Sequence, residues 1–354
     1  EIRIADGLIR LRVEKREEGS LKARVLAGGV VRKGAGVNFP SSALSAPAVT
    51  SKDRRDLAEG LEAGIQFVGL SFVRSVEHVK TLRKLIQAAP VERRPWIVSK
   101  IERGEAVRDL REIAAASDAL MVARGDLGVE TGLAAVPGAQ RAILRVGREL
   151  SVPVIVATQM LESMIEHPVP TRAEVSDVAN AVNDGADAVM LSGETAVGAY
   201  PVEAVRAMDE IARVAETQRA VPLEIPERED LGQDHTPVVC DVAVVAARRS
   251  GARALVVYTA SGRTARLLSK GVVKIPIVAI TSSEEVRRRL TLLRNVVSYL
   301  IPPSASVEEM IASGDRVLRA HALTAATVVE VSGAAALEGA TNTVRVRTIR
   351  PTRR

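Results

Sequence analysis

Four short apolar runs end in groups that can do chemistry. Lys100 and Glu102 close WIVSKIE (96–102), and Arg124, Gly125 and Asp126 close ALMVARGD (119–126). Thr158 and Gln159 close VPVIVATQ (152–159), and Ser192 and Glu194 close AVMLSGET (188–195). Residues two apart on a strand share a face, so Lys100 and Glu102 point the same way. Glu102 and Asp126 can each give one hard oxygen to Mg²⁺ (or Mn²⁺) and leave positions for substrate and water. Lys100 can neutralise charge on a phosphoryl or enolate oxygen. A glycine at position 125 lets backbone amides approach an anion, and a helix N-terminus there favours a carboxylate. Thr158 offers a hydroxyl to orient substrate or an ordered water. Each signal has a plainer reading: a solvent-facing Lys-x-Glu, an Arg-Gly-Asp turn, a Thr-Gln that closes a hydrogen bond. The repetition of such groups at strand after strand is what favours a site that handles an anion beside a divalent cation.

The elements that must position these groups are legible too. With FVGLSF (67–72) there are five apolar runs, separated by helical patterns. Continuous apolar runs alternating with helices imply buried parallel strands, and in a β/α barrel chemistry sits at the strands' C-terminal ends. Ser51 is the expected N-cap of a helix over Lys52–Ala63 that stops at Gly64. Thr171 and Glu174 fit a capping box, followed by an apolar stripe of Val175, Val178, Ala179 and Val182. Residues 1–10 alternate around Asp6-Gly7, a hairpin signal. Glu216 to Pro237 is polar and proline-bearing, a linker or surface crossing. A second β/α series begins near Val238, with strands expected at 254–259, 275–280, 296–301, 327–331 and 342–349. Between the first of these strands and its helix, Thr259, Ser261, Gly262, Arg263 and Thr264 form a loop whose amides and hydroxyls can bind phosphate. The alternative is a structural strand-to-helix turn.

Composition excludes several classes. The 354 residues carry 49 Lys and Arg against 43 Asp and Glu, a net charge of +6, with both signs mixed along most of the chain. Arg concentrates without an acid only over Arg345–Arg354, and no nucleic-acid motif accompanies it. Aromatic residues are 2%, too few to stack single-stranded bases, so the core rests on Val, Leu, Ile and Ala. The single cysteine, Cys240, rules out internal disulfides and cysteine-based zinc sites. The four histidines are far apart. The longest uncharged run, Gly34–Ser51, holds two prolines and four serines and does not read as a membrane span. A reducing, cytoplasmic setting is expected. The chain opens on Glu1 within a strand pattern, so upstream sequence is expected.

The runs IVSKIE (97–102), MVARGDLG (121–128), ATQMLESM (157–164), PTRAEVSDVANAV (170–182) and DAVMLSGETAVGAYPVEAV (187–205) resemble the pyruvate kinase family, in order and spacing. EIRIADGLIRL (1–11) resembles the end of that family's inserted β-domain, and SGRTARLLSK (261–270) and EGATNTVRV (338–346) its C-terminal domain. The resemblance implies an α/β fold: a partial (β/α)8 barrel of five strands (48–220), preceded by the end of a β-domain (1–47) and followed by a three-layer α/β domain (236–354). It implies phosphoryl transfer from phosphoenolpyruvate to ADP, giving pyruvate and ATP in glycolysis. Lys100 would stabilise the transferring group, and Glu102 and Asp126 would bind Mg²⁺. Gly125, Asp126 and Thr158 would hold the pyruvate carboxylate or enolate. K⁺, a homotetramer and a sugar-phosphate effector at 259–264 are further implications; the resemblance also has the helix from Thr171 meet a neighbouring subunit.

The departures matter as well. The family's barrel has eight strands, and its Arg-x-Asn-x-Ser segment and monovalent-cation ligands have no counterpart in residues 1–50. Lys270-Gly-Val-Val-Lys stands where the family has Tyr-Arg-Pro. An open sheet leaves an edge exposed, so low activity of this chain alone is expected. Two other readings stay open: a metal-dependent lyase or aldolase acting on pyruvate enolate, and an inactive fragment or subunit of a split kinase.

Overall fold

Alternating residues at the start of the chain fold as the hairpin signal predicts. Strand β1 (Ile2–Ile4) pairs antiparallel with β2 (Ile9–Glu17), Ile4 opposite Ile9. Gly7 takes φ +86°, the left-handed conformation this tight reversal needs. Strand β3 (Ser20–Ala27) pairs with β2, and β4 (Val37–Asn38) with β1, giving the order β3-β2-β1-β4. The computed structural model describes residues 1–5, 7–40, 42, 47–92, 94–218, 234–271, 274–304, 306–320, 323–333 and 341–351. Asp6, His321, most of the expected linker, Glu338–Ala340 and the last three residues lie outside these.

Helix α1 (Ser51–Glu62) opens the β/α series. Its N-cap is Thr50, one residue earlier than expected: the Thr50 side chain accepts from the Asp53 amide, and Asp53 accepts from the Thr50 amide. Thr50 wins because its side chain, three residues before Asp53, completes a capping box. There follow β5 (Phe67–Leu70), α2 (Val76–Ala88), β6 (Trp96–Ile101), α3 (Gly104–Arg108), α4 (Leu110–Ala116) and β7 (Ala119–Ala123). Next come α5 (Arg124–Thr131), α6 (Val136–Glu149), β8 (Val154–Ala157), α7 (Arg172–Asp184), β9 (Ala188–Met190), α8 (Gly193–Ala196) and α9 (Pro201–Gln218). The strands form one sheet in the order β5-β6-β7-β8-β9, with parallel pairing from β5 through β8. The apolar runs bury Ile97, Ile101, Leu120, Val122, Val154 and Val156. The barrel is not closed. The capping box of α7 forms between Thr171 and Glu174, and Val178 and Val182 are buried, whereas Val175 is exposed.

The second series begins with α10 (Thr236–Ser250), then β10 (Ala254–Tyr258), α11 (Arg263–Ser269), β11 (Ile277–Thr281), α12 (Glu284–Leu290), β12 (Val296–Leu300), α13 (Val307–Ala320), β13 (Thr327–Gly333) and β14 (Thr341–Thr348). The order is β12-β11-β10-β13-β14, parallel except for the β13–β14 pair. Side-chain alternation builds two cores. Leu255, Val257, Ile277 and Val329 meet α10 and α11 on one face, and Val256, Tyr258, Ile280 and Val328 meet Leu318 of α13 on the other. Lys270, which caps α11, is paired with Asp187, and both side chains are buried; burial pulls the Lys270 ammonium pKa down. Val272 and Val273 of the Lys270-Gly-Val-Val-Lys run lie outside the described residues.

Contacts divide the chain into two compact units. One comprises residues 1–147, 154–184 and 189–213, and the other 148–153, 185–188 and 214–354. Among the described residues no helix is long and apolar enough to cross a membrane.

Candidate active site

Period-two alternation on β6 turns Lys100 and Glu102 to the same side, and the structure joins them. Lys100 Nζ lies 2.6 Å from Glu102 Oε1 and donates to Ser71 Oγ at 3.0 Å. Glu102 is fully buried. Its Oε2 accepts from the Phe72 amide at 2.6 Å, while Oε1 is met by the Lys100 ammonium. Burial pushes the Glu102 carboxyl pKa up, Lys100 and the Phe72 amide pull it back, and the charge of Asp126 adds to the rise. A fully buried carboxylate that shares one ammonium with the charge of a second carboxylate is a donor set that a divalent cation would suit. Among the described residues no group of three or more His, Cys, Asp or Glu gathers, so such a cation would complete its shell from substrate and water.

The next strand differs from expectation. Arg124, Gly125 and Asp126 do not extend β7; they form the first turn of α5. This places Gly125 and Asp126 at a helix N-terminus, where free amides and the helix dipole favour an anion. The Gly125 amide donates to Thr158 Oγ1 at 2.9 Å, and that hydroxyl donates to the Ala157 carbonyl at 2.6 Å. Glycine and threonine are thus brought together and bonded to each other. Thr158 and Gln159 both take positive φ, +65° and +53°. The buried Arg124 guanidinium holds the pair: Nη2 donates to both carbonyls at 2.8 Å, and Nη1 is bonded to Asp177.

Three strand-end residues read differently in three dimensions. Glu194 is buried and accepts from the Leu161 amide at 3.0 Å and the Ser192 amide at 2.8 Å, so it ties one loop to the next. Ser71 and Phe72, at the end of β5, bond to Lys100 and Glu102 yet carry no charge that would single them out. Phe72 has φ +51°, which sequence does not announce for an aromatic residue. The only available signal was their place at the end of an apolar run.

The Thr259–Thr264 loop lies at the reversal of strand order between β10 and β13. Its groups are engaged internally. Thr259 Oγ1 accepts from the Gly262 amide at 2.9 Å, Arg263 pairs with Asp234, and Thr264 bonds to Thr341 at 2.8 Å in the interior. Ser261 Oγ stands 3.5 Å from the Arg263 amide.

A parallel β/α sheet with these groups gathered at its carboxyl ends belongs to the β/α-barrel class of enzymes. Two family models match the sequence: "Pyruvate kinase, barrel domain" over residues 1–205 and "Pyruvate kinase, alpha/beta domain" over 238–347. The chain belongs to the pyruvate kinase family, whose members are phosphotransferases, and the lyase or aldolase reading is not favoured. It is 41% identical over 350 residues to a pyruvate kinase of Agrobacterium vitis, covering 98% of this chain and 72% of that protein. It is 43% identical over 317 residues to one of Corynebacterium glutamicum, covering 90% and 66%. With one of Geobacillus stearothermophilus the values are 42% over 324 residues, 88% and 53%. The chain therefore spans roughly half to three-quarters of these relatives' lengths.

Proposed function

We propose that Lys100, Glu102, Gly125, Asp126 and Thr158 are the reaction centre for the family's transfer of a phosphoryl group from phosphoenolpyruvate to ADP. The bond from phosphorus to the enol oxygen breaks, a bond to the terminal oxygen of ADP forms, and the enolate is protonated at carbon to give pyruvate. Lys100 neutralises charge on the group in flight, a task of positioning and electrostatics rather than covalent chemistry. Glu102 and Asp126 would hold Mg²⁺, which supplies charge neutralisation for substrate oxygens. The first turn of α5 meets the substrate carboxylate, and the Thr158 hydroxyl turns from the Ala157 carbonyl toward it.

The observation that carries this reading is the fully buried Glu102 carboxylate, held between the Lys100 ammonium and the Phe72 amide with the charge of Asp126 acting on it. The test is Mg²⁺-dependent ATP formation from phosphoenolpyruvate and ADP, measured for the unaltered protein and for Lys100→Ala and Glu102→Ala. Both variants are expected to lose activity; normal turnover by Lys100→Ala overturns the assignment.

The open sheet supports a second reading, a chain inactive by itself that belongs to a larger assembly. Binding of Mn²⁺ together with oxalate separates the two, because a working site takes up both. At Thr259–Thr264 the internal bonding of Thr259, Arg263 and Thr264 favours a structural turn over a phosphate site. K⁺ dependence and a cytoplasmic homotetramer are proposed on family membership alone.

A further inference from the structure

Three segments meet at the last turn of α5. Arg3 and Asn38 face each other in register across β1 and β4. Arg3 donates to the Val129 carbonyl, and Asn38 Nδ2 donates to Glu130 Oε1 at 3.2 Å. The same Glu130 oxygen receives Arg103 Nη1 at 3.3 Å. Arg103 also donates to Glu105 Oε2 at 2.7 Å and to the Ser42 carbonyl at 3.1 Å. The Glu130 and Arg103 side chains are 2% and 3% exposed.

The placement of this knot is informative. Arg103 directly follows Glu102, so it anchors the end of β6 where that carboxylate emerges. Glu130 is the penultimate residue of the helix whose first turn carries Gly125 and Asp126. A helix of this length is a stiff rod of about 12 Å, so a shift at one end is felt at the other. One carboxylate oxygen thus ties together the strand leading to Glu102, the helix bearing Asp126 and the small antiparallel sheet. A buried ion pair is a weak source of stability, and its best-attested use is to fix one arrangement against close alternatives. Here the arrangement fixed is the spacing of two carboxylates that belong to different elements.

We propose that Glu130, with Asn38 and Arg103, positions Glu102 relative to Asp126, so that the small sheet acts through Asn38 on the affinity of that carboxylate pair for a divalent cation. The proposal rests on the cation reading above. Groups that orient metal ligands typically change affinity about 10- to 100-fold when removed.

The test titrates Mn²⁺ alone into the full chain, with electron paramagnetic resonance reading affinity and the spectrum of the bound ion. Glu130→Ala and Asn38→Ala are expected to weaken binding about tenfold and broaden the bound-ion signal. Glu130→Gln keeps the shared acceptor oxygen and should retain most of the affinity, which a role in charge or bulk stability would not predict. Glu102→Gln serves as the reference for the site itself. If Glu102→Gln abolishes binding while Asn38→Ala and Glu130→Ala bind as the unaltered chain does, the positioning proposal is overturned and the cation reading stands. If the unaltered chain takes up no Mn²⁺, or Glu102→Gln binds equally well, the cation reading fails and this proposal falls with it. Should Glu130→Ala not fold, Asn38→Ala, which leaves the Arg103–Glu130 pair in place, decides the matter.

Discussion

A methyl group at position 125 would stand 3.7 Å from Thr158 Oγ1, an ordinary contact, so the fold has room for alanine there. The space it fills is where a substrate carboxylate is proposed to lie. Gly125→Ala should therefore leave the thermal unfolding midpoint unchanged while weakening oxalate binding in the presence of Mn²⁺, measured by calorimetric titration. Equal affinity in the two proteins would remove the reason for a glycine at this turn. Asp234 allows a prediction of a different kind. Pairing with Arg263 lowers its carboxyl pKa from 3.8 to about 2. A depressed carboxyl pKa contributes stability that is complete above the unfolded value and is lost as pH falls from 3.8 toward about 2. Both side chains are at least a third exposed, so screening keeps the effect below about 1 kcal/mol. Urea unfolding at pH 5 and pH 2.5 should show a larger loss for the unaltered chain than for Asp234→Asn. At this scale Lys100 and Glu102 were legible because a two-residue period leaves little choice of face. Phe72 and Arg124 were not, because a left-handed backbone and a buried guanidinium depend on partners from other strands.

Elements were more readable than single side chains. Continuous Val, Ile and Leu runs have one comfortable environment, between two helical layers, and all ten of the expected strands in the two β/α series formed. Errors fell at element ends, where chain geometry is decided locally: Thr50 replaced Ser51 as a cap, and Arg124 began a helix rather than ending a strand. Helix α13 contains a residue that propensity alone would mark for improvement. Alanine at Gly314 would gain about 1 kcal/mol in an isolated helix. In the folded chain its Cβ would come 2.3 Å from Tyr258 Oη and 2.9 Å from two ring carbons, and Tyr258 is buried in the sheet. Overpacking of this kind costs about 1–3 kcal/mol, so Gly314→Ala should lower stability in urea titrations. Adding Tyr258→Phe should recover part of the loss by removing the closest atom; a neutral Gly314→Ala would mean that the ring has somewhere else to go.

For the molecule as a whole, the sheet of five parallel strands sets the question of what this chain does alone. A site competent to bind ligands stabilises the state that contains it: a ligand at a hundred times its dissociation constant adds about 2.7 kcal/mol, so Mn²⁺ and oxalate would each add about that much to the first unit. The expected result is a raised unfolding midpoint that Glu102→Gln abolishes, and no shift in either protein would favour the inactive-subunit reading. The partial barrel was countable from sequence because each strand carries its own apolar run. The knot at Glu130 was not, since Asn38, Arg103 and Glu130 are far apart in the chain and individually ordinary. The left-handed pair Thr158–Gln159 has one more consequence. Each such backbone costs about 1–2 kcal/mol for a residue with a side chain. Glycine at either position would relieve that strain, and at 158 it would also delete the hydroxyl bonded to Gly125. If Thr158 holds the substrate as proposed, selection for heat resistance and selection for turnover pull this corner in opposite directions, and a screen that rewarded stability alone would drift toward a chain that folds better and works less.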